Sequence, residues 1–277
     1  MMPNYICITC GTQFPASDVA LEHCPICEDE RQYINRNGQQ WTTLETLRAD
    51  HHNILKPEEP GLTGIKTEPG FAIGQRALLV QAPGGNVLWD CISYLDDATV
   101  EAVQALGGIS AIGISHPHFY SSMVEWSHAF GAPIYLHASN RPYVMRPDPA
   151  IVFWEGDTHR LNDGITLVRC GGHFEGSTVL YWPGGADGRG VMLTSDTIYV
   201  VQDRRWVSFM YSYPNLIPLP ADAVEGIVKA VEPFAFDRLY SGWFENLVAS
   251  DAKSTVGRSA ERYIRAIQGK LQSERIG

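Results

Sequence analysis

The sequence has little that would suit a membrane or a nucleic acid. Its apolar stretches, such as Ile109 to Ile114, are far shorter than the roughly 18 to 20 residues that a membrane span requires. Basic residues are outnumbered, with 21 Lys and Arg against 31 Asp and Glu and a formal net charge of −10, so the chain repels phosphate backbones and anionic lipid. Met1 to Tyr5 lack the basic and then apolar segments of a secretory signal. We therefore expect a cytoplasmic protein whose partner is a small-molecule substrate, with no nucleic acid and no membrane.

Internal repeats and low-complexity tracts are also lacking. Apolar residues make up 44% of the 277 residues, which is enough for a sizeable core and excludes a wholly disordered chain. This length favours one large domain with a small appendage over two equal halves. The composition is compatible with a homo-oligomer.

Disulfides are not expected, although six cysteines are present. Four of them form two Cys-x-x-Cys pairs: Cys7, Cys10, Cys24 and Cys27. The others, Cys91 and Cys170, lie in apolar, strand-like stretches. In a reducing compartment this spacing indicates a tetrahedral thiolate site, and four sulfurs leave no open coordination position. We predict a structural zinc ion in a segment that resembles a zinc ribbon or a rubredoxin-like knuckle; iron there would instead imply electron transfer.

The chain divides into three parts in this interpretation. They are the cysteine-bearing module at 1–35, a linker helix and loop at 36–60, and the main domain at 61–277. A capping box from Thr42 to Glu45 predicts a linker helix up to about Asn53. Pro57 and Pro60 then place the boundary near residue 55.

Strands and helices alternate in the main domain. Apolar runs bounded by turn residues predict strands at 64–67, 76–81, 87–91, 109–115, 134–137, 165–170, 179–182 and 191–194. Helices are predicted at 98–106, 122–130, 221–231 and 253–272. This order predicts an α/β (α+β) fold with two sheets and outer helices.

Histidines and one carboxylate follow three of the predicted strands. His116 and His118 leave the strand at 109–115 two residues apart, so both side chains point to the same side. His173 follows Gly171-Gly172 after a later strand, and Asp196 follows the strand at 191–194. Imidazoles and a carboxylate at neighbouring strand ends predict a metal site.

At these residues the chain resembles the metallo-β-lactamase fold superfamily. The resemblance covers roughly residues 60 to 270 and rests on the His116-Pro117-His118 segment, Gly172-His173 and Ser195-Asp196-Thr197. It implies an αββα sandwich with a metal at the sheet edge. Members of the superfamily include hydrolases of lactams, thioesters and lactones, and iron-dependent sulfur dioxygenases.

Two departures from the family pattern affect the second ion of the site. Tyr120 and Ser121 stand where the family has Asp and His, and the segment Leu239–Trp243 lacks the usual last histidine. We therefore expect a single zinc or iron ion held by His116, His118 and His173, with Asp196 binding it directly or through water. Asp196 and Tyr120 are the candidate catalytic residues. The Tyr120 hydroxyl would donate to a substrate oxygen, because its unperturbed pKa of about 10 excludes a base at neutral pH.

Three further residues are candidates for substrate binding. Arg204 or Arg205 would clamp an anion bidentately, and a solvated or salt-bridged arginine is the alternative. His137 ends the predicted strand at 134–137 and would line the cleft; a packed or solvated histidine is the alternative.

Three functions remain open at this point. The first is a metal-dependent hydrolase of a small ester, thioester or lactone that acts through a metal-bound water. The second is a non-haem iron oxidoreductase, similar to the sulfur dioxygenases, with His116, His173 and Asp196 as ligands. The third is a catalytically degenerate metal-binding protein, which the loss of half the ligand set would explain.

Overall fold

The four cysteines lie at the centre of a small N-terminal module in this computed structural model, which describes residues 2–271. The elements of this part are β1 (Asn4–Cys7), β2 (Gln13–Ala16), α1 (Pro25–Glu28), β3 (Trp41–Thr42) and α2 (Leu44–Leu47). The strands form an antiparallel sheet in the order β2-β1-β3. The cysteine side chains pack with Phe14 and Ile26. A core of this size needs a further staple, such as an ion, to be stable.

The linker differs from its prediction. Thr43, not Thr42, caps the helix, since its hydroxyl accepts a hydrogen bond from the backbone N–H three residues on. The helix ends at Leu47, and the chain then enters β4 (His52–Glu59). The boundary predicted by the prolines therefore falls inside a strand. Pro57 fits there because β4 is an edge strand, which leaves one side of its backbone unpaired.

A seven-stranded mixed sheet forms the first layer of the main domain. After β4, its strands and their connecting helices are β5 (Leu62–Glu68), β6 (Ala77–Val80), β7 (Val87–Trp89), α3 (Asp97–Ala105), β8 (Ala111–Gly113), α4 (Met123–Phe130), β9 (Ile134–His137) and β10 (Ile151–Trp154). The strand order is β10-β9-β8-β7-β6-β5-β4. Strands β7 to β10 are parallel, and β4 to β7 are antiparallel. Two 3₁₀ helices, Pro117–Phe119 and Ala138–Tyr143, follow β8 and β9 respectively.

A six-stranded sheet forms the second layer. The remaining elements are β11 (Thr158–Asn162), β12 (Ile165–Arg169), β13 (Thr178–Trp182), the distorted turn α5 (Gly185–Gly188), β14 (Val191–Leu193), β15 (Tyr199–Val200), β16 (Val207–Ser208), α6 (Ala221–Val231), β17 (Arg238–Tyr240), β18 (Leu247–Val248) and α7 (Ala252–Ile267). The sheet order is β11-β12-β13-β14-β17-β18, and β15 pairs with β16 separately. None of the helices within residues 2–271 combines the length and apolar character that a membrane crossing needs.

The two sheets enclose one core, and each has a second core under its helices. Trp89 and Val87 of the first sheet meet Leu167 and Leu180 of the second between the layers. Helices α3 and α4 cover the outer face of the first sheet, and α6 and α7 cover the outer face of the second. The molecule is therefore the αββα sandwich that the family resemblance implies, preceded by the four-cysteine module.

Most predicted elements of the main domain are present with bounds that differ by one or two residues. The strand at 134–137 and the helix at 221–231 have the predicted bounds. Helix α7 ends at Ile267, earlier than predicted, and the predicted end at Gln272 lies outside the described residues. The sequence analysis does not predict β10, β11 and β15 to β18; β15 to β18 have only two or three residues each, and β11 is rich in polar residues.

Gly190 provides a stability test of the second sheet. Its φ of +87° lies in the left-handed region, and a Cβ at this position would collide with the backbone carbonyl oxygen of Ala235. We expect Gly190→Ala to lower the free energy of unfolding by about 2–3 kcal/mol, from backbone strain and steric overlap together. Urea unfolding measures this change.

Gly188 is the matched control, because its φ is +83° but no atom lies within 4 Å of the added Cβ. Gly188→Ala should therefore cost only the strain, about 1 kcal/mol. Equal decreases in the free energy of unfolding of the two variants would show that the contact with Ala235 does not contribute to the destabilisation.

Candidate metal centres

The four cysteines bring their sulfurs together at a distance that suits a metal ion. Cys7 Sγ lies 3.6 Å from Cys27 Sγ, and Cys10 Sγ lies 3.7 Å from Cys24 Sγ. Tetrahedral zinc with Zn–S bonds of about 2.3 Å would separate its sulfurs by about 3.8 Å. All four side chains are buried. This cysteine cluster, defined by these four residues, therefore fits a closed structural ion, as the sequence predicts.

A second group of ligands comes from separate strand ends of the main domain. His116 and His118 follow β8, His173 follows β12, and Asp196 follows β14. One ligand atom from each lies within 4.8 Å of all the others, and all four side chains are buried. The fold thus brings together the four residues that the sequence analysis selected, and they are called the His cluster below.

Hydrogen bonds fix which nitrogens of two rings face the cluster. The Ser115 hydroxyl donates to Asp90 Oδ1 at 2.7 Å and accepts from His116 Nδ1 at 2.8 Å. His173 Nδ1 donates to the backbone carbonyl of Tyr211 at 2.9 Å. In the neutral form of both rings, Nδ1 therefore carries the proton and Nε2 directs a lone pair at the cluster. This tautomer is the one that binds a metal ion through Nε2.

The atoms of the His cluster fit a cation. His116 Nε2 lies 3.3 Å from Asp196 Oδ2, and His118 Nδ1 lies 3.3 Å from His173 Nε2. Two ligands about 2.0–2.1 Å from a tetrahedral zinc ion would lie about 3.4 Å apart. Within the described residues, the buried atoms His116 Nε2 and Asp196 Oδ1 have no hydrogen-bond partner. Buried polar atoms without partners are rare, and an ion would satisfy them.

Burial also keeps two of these imidazoles uncharged. It lowers the pKa of His118 well below its usual value, and the neighbouring ring of His173 acts in the same direction. Burial, together with His116, lowers the pKa of His173 to about 3. A neutral imidazole is the form that a metal ion binds. Both rings are therefore ready to bind an ion at neutral pH without first losing a proton.

A cavity of about 450 Å³ opens over the His cluster, and His118, His173 and Asp196 form part of its lining. Its other lining residues are Arg31, Gln32, Tyr33, Ala72, Ile73, Tyr199, Tyr213, Pro214 and Trp243. Aromatic and apolar side chains dominate this wall. A cavity of this size and character is typical of a small-molecule site.

The two residues at the altered family positions do not face this cavity. Tyr120 is buried in the core under the first sheet and is not among the residues that line the cavity, and burial raises its pKa. This placement does not support the predicted contact between its hydroxyl and a substrate oxygen. The Ser121 hydroxyl donates to the Cys91 carbonyl at 3.3 Å and accepts from Gln75 at 3.0 Å, and the Ser121 carbonyl accepts from the Gln13 N–H of the module at 3.0 Å.

The three predicted substrate-binding residues are also not among the residues that line the cavity. His137 is buried and donates from Nε2 to a backbone carbonyl at 3.2 Å. Arg205 forms an exposed ion pair with Asp203, and Arg204 lies 3.9 Å from Glu245. The packed histidine and the salt-bridged arginines are therefore the arrangements that the structure favours.

Two functional features were missed by the sequence analysis. Asp90, which holds Ser115 and also accepts from Ser195, directly follows the buried strand β7. A carboxylate in that position was a detectable signal, the same as for Asp196. Arg31 and its neighbours in the module form part of the cavity wall. No local sequence pattern predicts this position, because it depends on how the module packs against the main domain.

Comparisons with known proteins agree with this architecture. No protein-family model matches the sequence. The uncharacterized protein YmaE of Bacillus subtilis (strain 168) is 54% identical over 272 residues, which cover 98% of this chain and 99% of YmaE.

Solved metallo-β-lactamases share the fold at low sequence identity. VMB-1 has a TM-score of 0.58 and 14% sequence identity, and the alignment covers 78% of this chain and 98% of the VMB-1 chain. DIM-1 has a TM-score of 0.57 and 12% identity, with 78% and 98% covered. A B3 enzyme with an active-site glutamic acid has a TM-score of 0.52 and 16% identity, with 85% and 97% covered. The chain therefore belongs to the same protein family as YmaE and is a metallo-β-lactamase-fold protein with an N-terminal four-cysteine module.

Proposed function

We propose that the protein is a metal-dependent hydrolase that cleaves a small, uncharged ester, thioester or lactone at a single-ion site. The observation that carries this proposal is the convergence of His116, His118, His173 and Asp196, whose ligand atoms lie within 4.8 Å of one another beside the cavity. A cation among these atoms would satisfy His116 Nε2 and Asp196 Oδ1, which are buried without a hydrogen-bond partner. Their position beside an open cavity supports a catalytic ion, because a purely structural site is closed on all sides.

The number of side chains available as metal ligands supports one ion in the His cluster. Within residues 2–271, the groups of His, Cys, Asp and Glu side chains that could hold an ion are the cysteine cluster and the His cluster. At the altered family positions, Tyr120 is buried in the core and Ser121 is hydrogen-bonded to the main chain. Trp243, near the altered last position, lines the cavity with its ring. Asp196 is therefore proposed to bind a single ion instead of bridging two.

The charges around the cavity support an uncharged substrate. The negative charge of Asp196 is assigned to the proposed ion. The positive charge of the Arg31 guanidinium is neutralised by Asp29 in a bidentate ion pair, with both N···O distances at 2.6 Å. The remaining wall offers flat apolar faces, such as Trp243 and Tyr199, on which an acyl or ring group would pack. An anionic substrate would meet no unpaired cation among the lining residues.

The chemistry of hydrolysis would be divided between the ion and the chain. When bound, the ion supplies Lewis acidity, which lowers the pKa of a water molecule and polarises a carbonyl or ester oxygen. Asp196 would help to hold the ion beside the cavity, and the apolar side chains of the wall would limit competing water. Asp90 and Ser115 keep His116 in the required tautomer.

A substrate panel tests the proposal. Purified protein, assayed for metal by elemental analysis, should hold one zinc ion in each cluster and hydrolyse at least one neutral ester, thioester or lactone. Removal of the His-cluster ion with a chelator should abolish this turnover, and one equivalent of zinc should restore it. Full occupancy with no turnover across the panel would contradict the proposal and support a degenerate metal-binding protein. Iron in the His cluster with thiol-dependent oxygen uptake would support an oxidoreductase instead.

A further inference from the structure

The segment after the last cysteine of the module reaches the cavity. Arg31, Gln32 and Tyr33 line its wall together with His118 and His173 of the main domain. A short stretch of chain, Arg31 to Tyr33, therefore links the cysteine cluster to the cavity over the His cluster.

Arg31 is fixed by contacts on several sides. Its Nε and Nη2 donate to the two carboxylate oxygens of Asp29, each at 2.6 Å, and Nη2 also donates to the Tyr143 hydroxyl at 2.8 Å. The guanidinium carbon lies 3.8 Å from the centre of the Phe174 ring. The side chain is only 13% exposed. A guanidinium held by a bidentate pair and an aromatic face has one geometry, which lysine does not reproduce.

The same guanidinium contacts a proposed metal ligand. Arg31 Nη1 donates to the backbone carbonyl of His173 at 3.3 Å, and Phe174, on which it stacks, is the next residue. Arg31 thus contacts the main chain at His173 and the side chain of the residue that follows it.

The ring of His173 depends on the module as well. Its Nδ1 donates to the carbonyl of Tyr211. The loop that contains Tyr211 is hydrogen-bonded to residues 30–32 of the module. Asn215 Nδ2 of that loop donates to the Glu30 and Gln32 carbonyls at 3.0 and 3.1 Å. Ser212 Oγ donates to the Arg31 carbonyl at 3.2 Å. By contrast, His116 is oriented by Ser115 and Asp90 of the main domain.

We propose that Arg31 is a positioning residue for His173 and that it couples the two metal clusters. The folded cysteine module places the Arg31 guanidinium against the His173 carbonyl, and this contact raises the affinity of the His cluster for its ion. The inference rests on the proposed occupancy of both clusters, but it does not depend on which substrate is cleaved.

Metal titration of the full-length chain tests this coupling. Cobalt(II) serves as the probe, because thiolate ligands give it charge-transfer bands that imidazole and carboxylate ligands do not, so the clusters are read separately. For Arg31→Ala we expect the His cluster to bind cobalt 10- to 100-fold more weakly, the usual effect of removing a group that orients a ligand. Its ligand-field spectrum should also shift, while the thiolate bands of the cysteine cluster stay unchanged.

Two further variants complete the experiment. Arg36→Ala, an exposed arginine of the same segment, should bind cobalt at both clusters like the wild type. Arg31→Lys keeps the charge but loses the two-bonded pair, so its His cluster should also bind more weakly, by several-fold. If Arg31→Ala loses the thiolate bands and so fails to fold, Arg31→Lys decides the question.

The inference is overturned if the folded Arg31 variants bind cobalt at the His cluster within twofold of the wild type and with its spectrum. That result differs from a failure of the proposed function, in which the wild-type His cluster itself would take up no ion.

Discussion

Replacing His116 by alanine should remove the ion of the His cluster and reduce hydrolysis by roughly 10³-fold or more, because a Lewis acid supplies several kcal/mol of transition-state stabilisation. His116 is fully buried, and its Nε2 faces Asp196 at 3.3 Å. Without it, the carboxylate and the two remaining imidazoles offer an incomplete set of ligands. Elemental analysis should show the metal content falling from two ions per chain to one, with the cysteine-bound ion retained.

The control for this variant is His128→Ala. His128 is an exposed histidine that pairs with Asp148 at 2.9 Å, outside both clusters. It should leave metal content and turnover unchanged. A His116→Ala protein that still holds two ions, or that keeps wild-type turnover, would show that the His cluster is not the catalytic centre.

Replacing Cys10 by alanine should release the ion of the cysteine cluster and unfold the N-terminal module. Cys10 is fully buried, and its sulfur lies 3.7 Å from that of Cys24. The binding free energy of a structural zinc ion is folding free energy for such a module, about 10–16 kcal/mol in zinc-finger peptides. Three thiolates retain only part of this binding free energy, and the small core of the module cannot compensate for the loss.

Limited proteolysis and zinc release measure this effect. The variant should lose its cysteine-bound zinc and become sensitive to proteases before residue 44, while the αββα sandwich resists cleavage. Cys91→Ala is the matched control, since Cys91 is a buried free thiol of the main domain; its metal content should equal that of the wild type. A Cys10→Ala protein with a protease-resistant module would contradict the structural role of the ion.

The sequence was sufficient to select the four side chains that converge in the His cluster, because each follows a strand, and the ends of strands from both sheets meet at one edge of the sandwich. His116, His173 and Asp196 each come after an apolar run that is recognisable by itself. The same local signals predicted α6 and β9 with their bounds. Strand β17 was missed since it has only three residues and pairs with the distant strand β14, which no local pattern records.

The direction of a side chain after a strand end was harder to predict than its position. Tyr120 follows the same strand as His118, but the 3₁₀ turn between β8 and α4 directs its ring into the core. Arg204 and Arg205 follow Asp196 in the chain, yet they pair with nearby carboxylates at the surface. The contribution of Arg31 to the cavity wall was not predictable, because it depends on packing between two parts of the chain.

The hydrogen bonds of Ser121 affect attempts to redesign this protein. Its hydroxyl is bound to Cys91 and Gln75, and its carbonyl receives the Gln13 N–H of the module. An imidazole introduced at this position would displace the hydroxyl from those bonds and press against the attachment of the module. Grafting aspartate and histidine onto positions 120 and 121 would thus fail to create a dinuclear enzyme unless the N-terminal attachment were rebuilt at the same time.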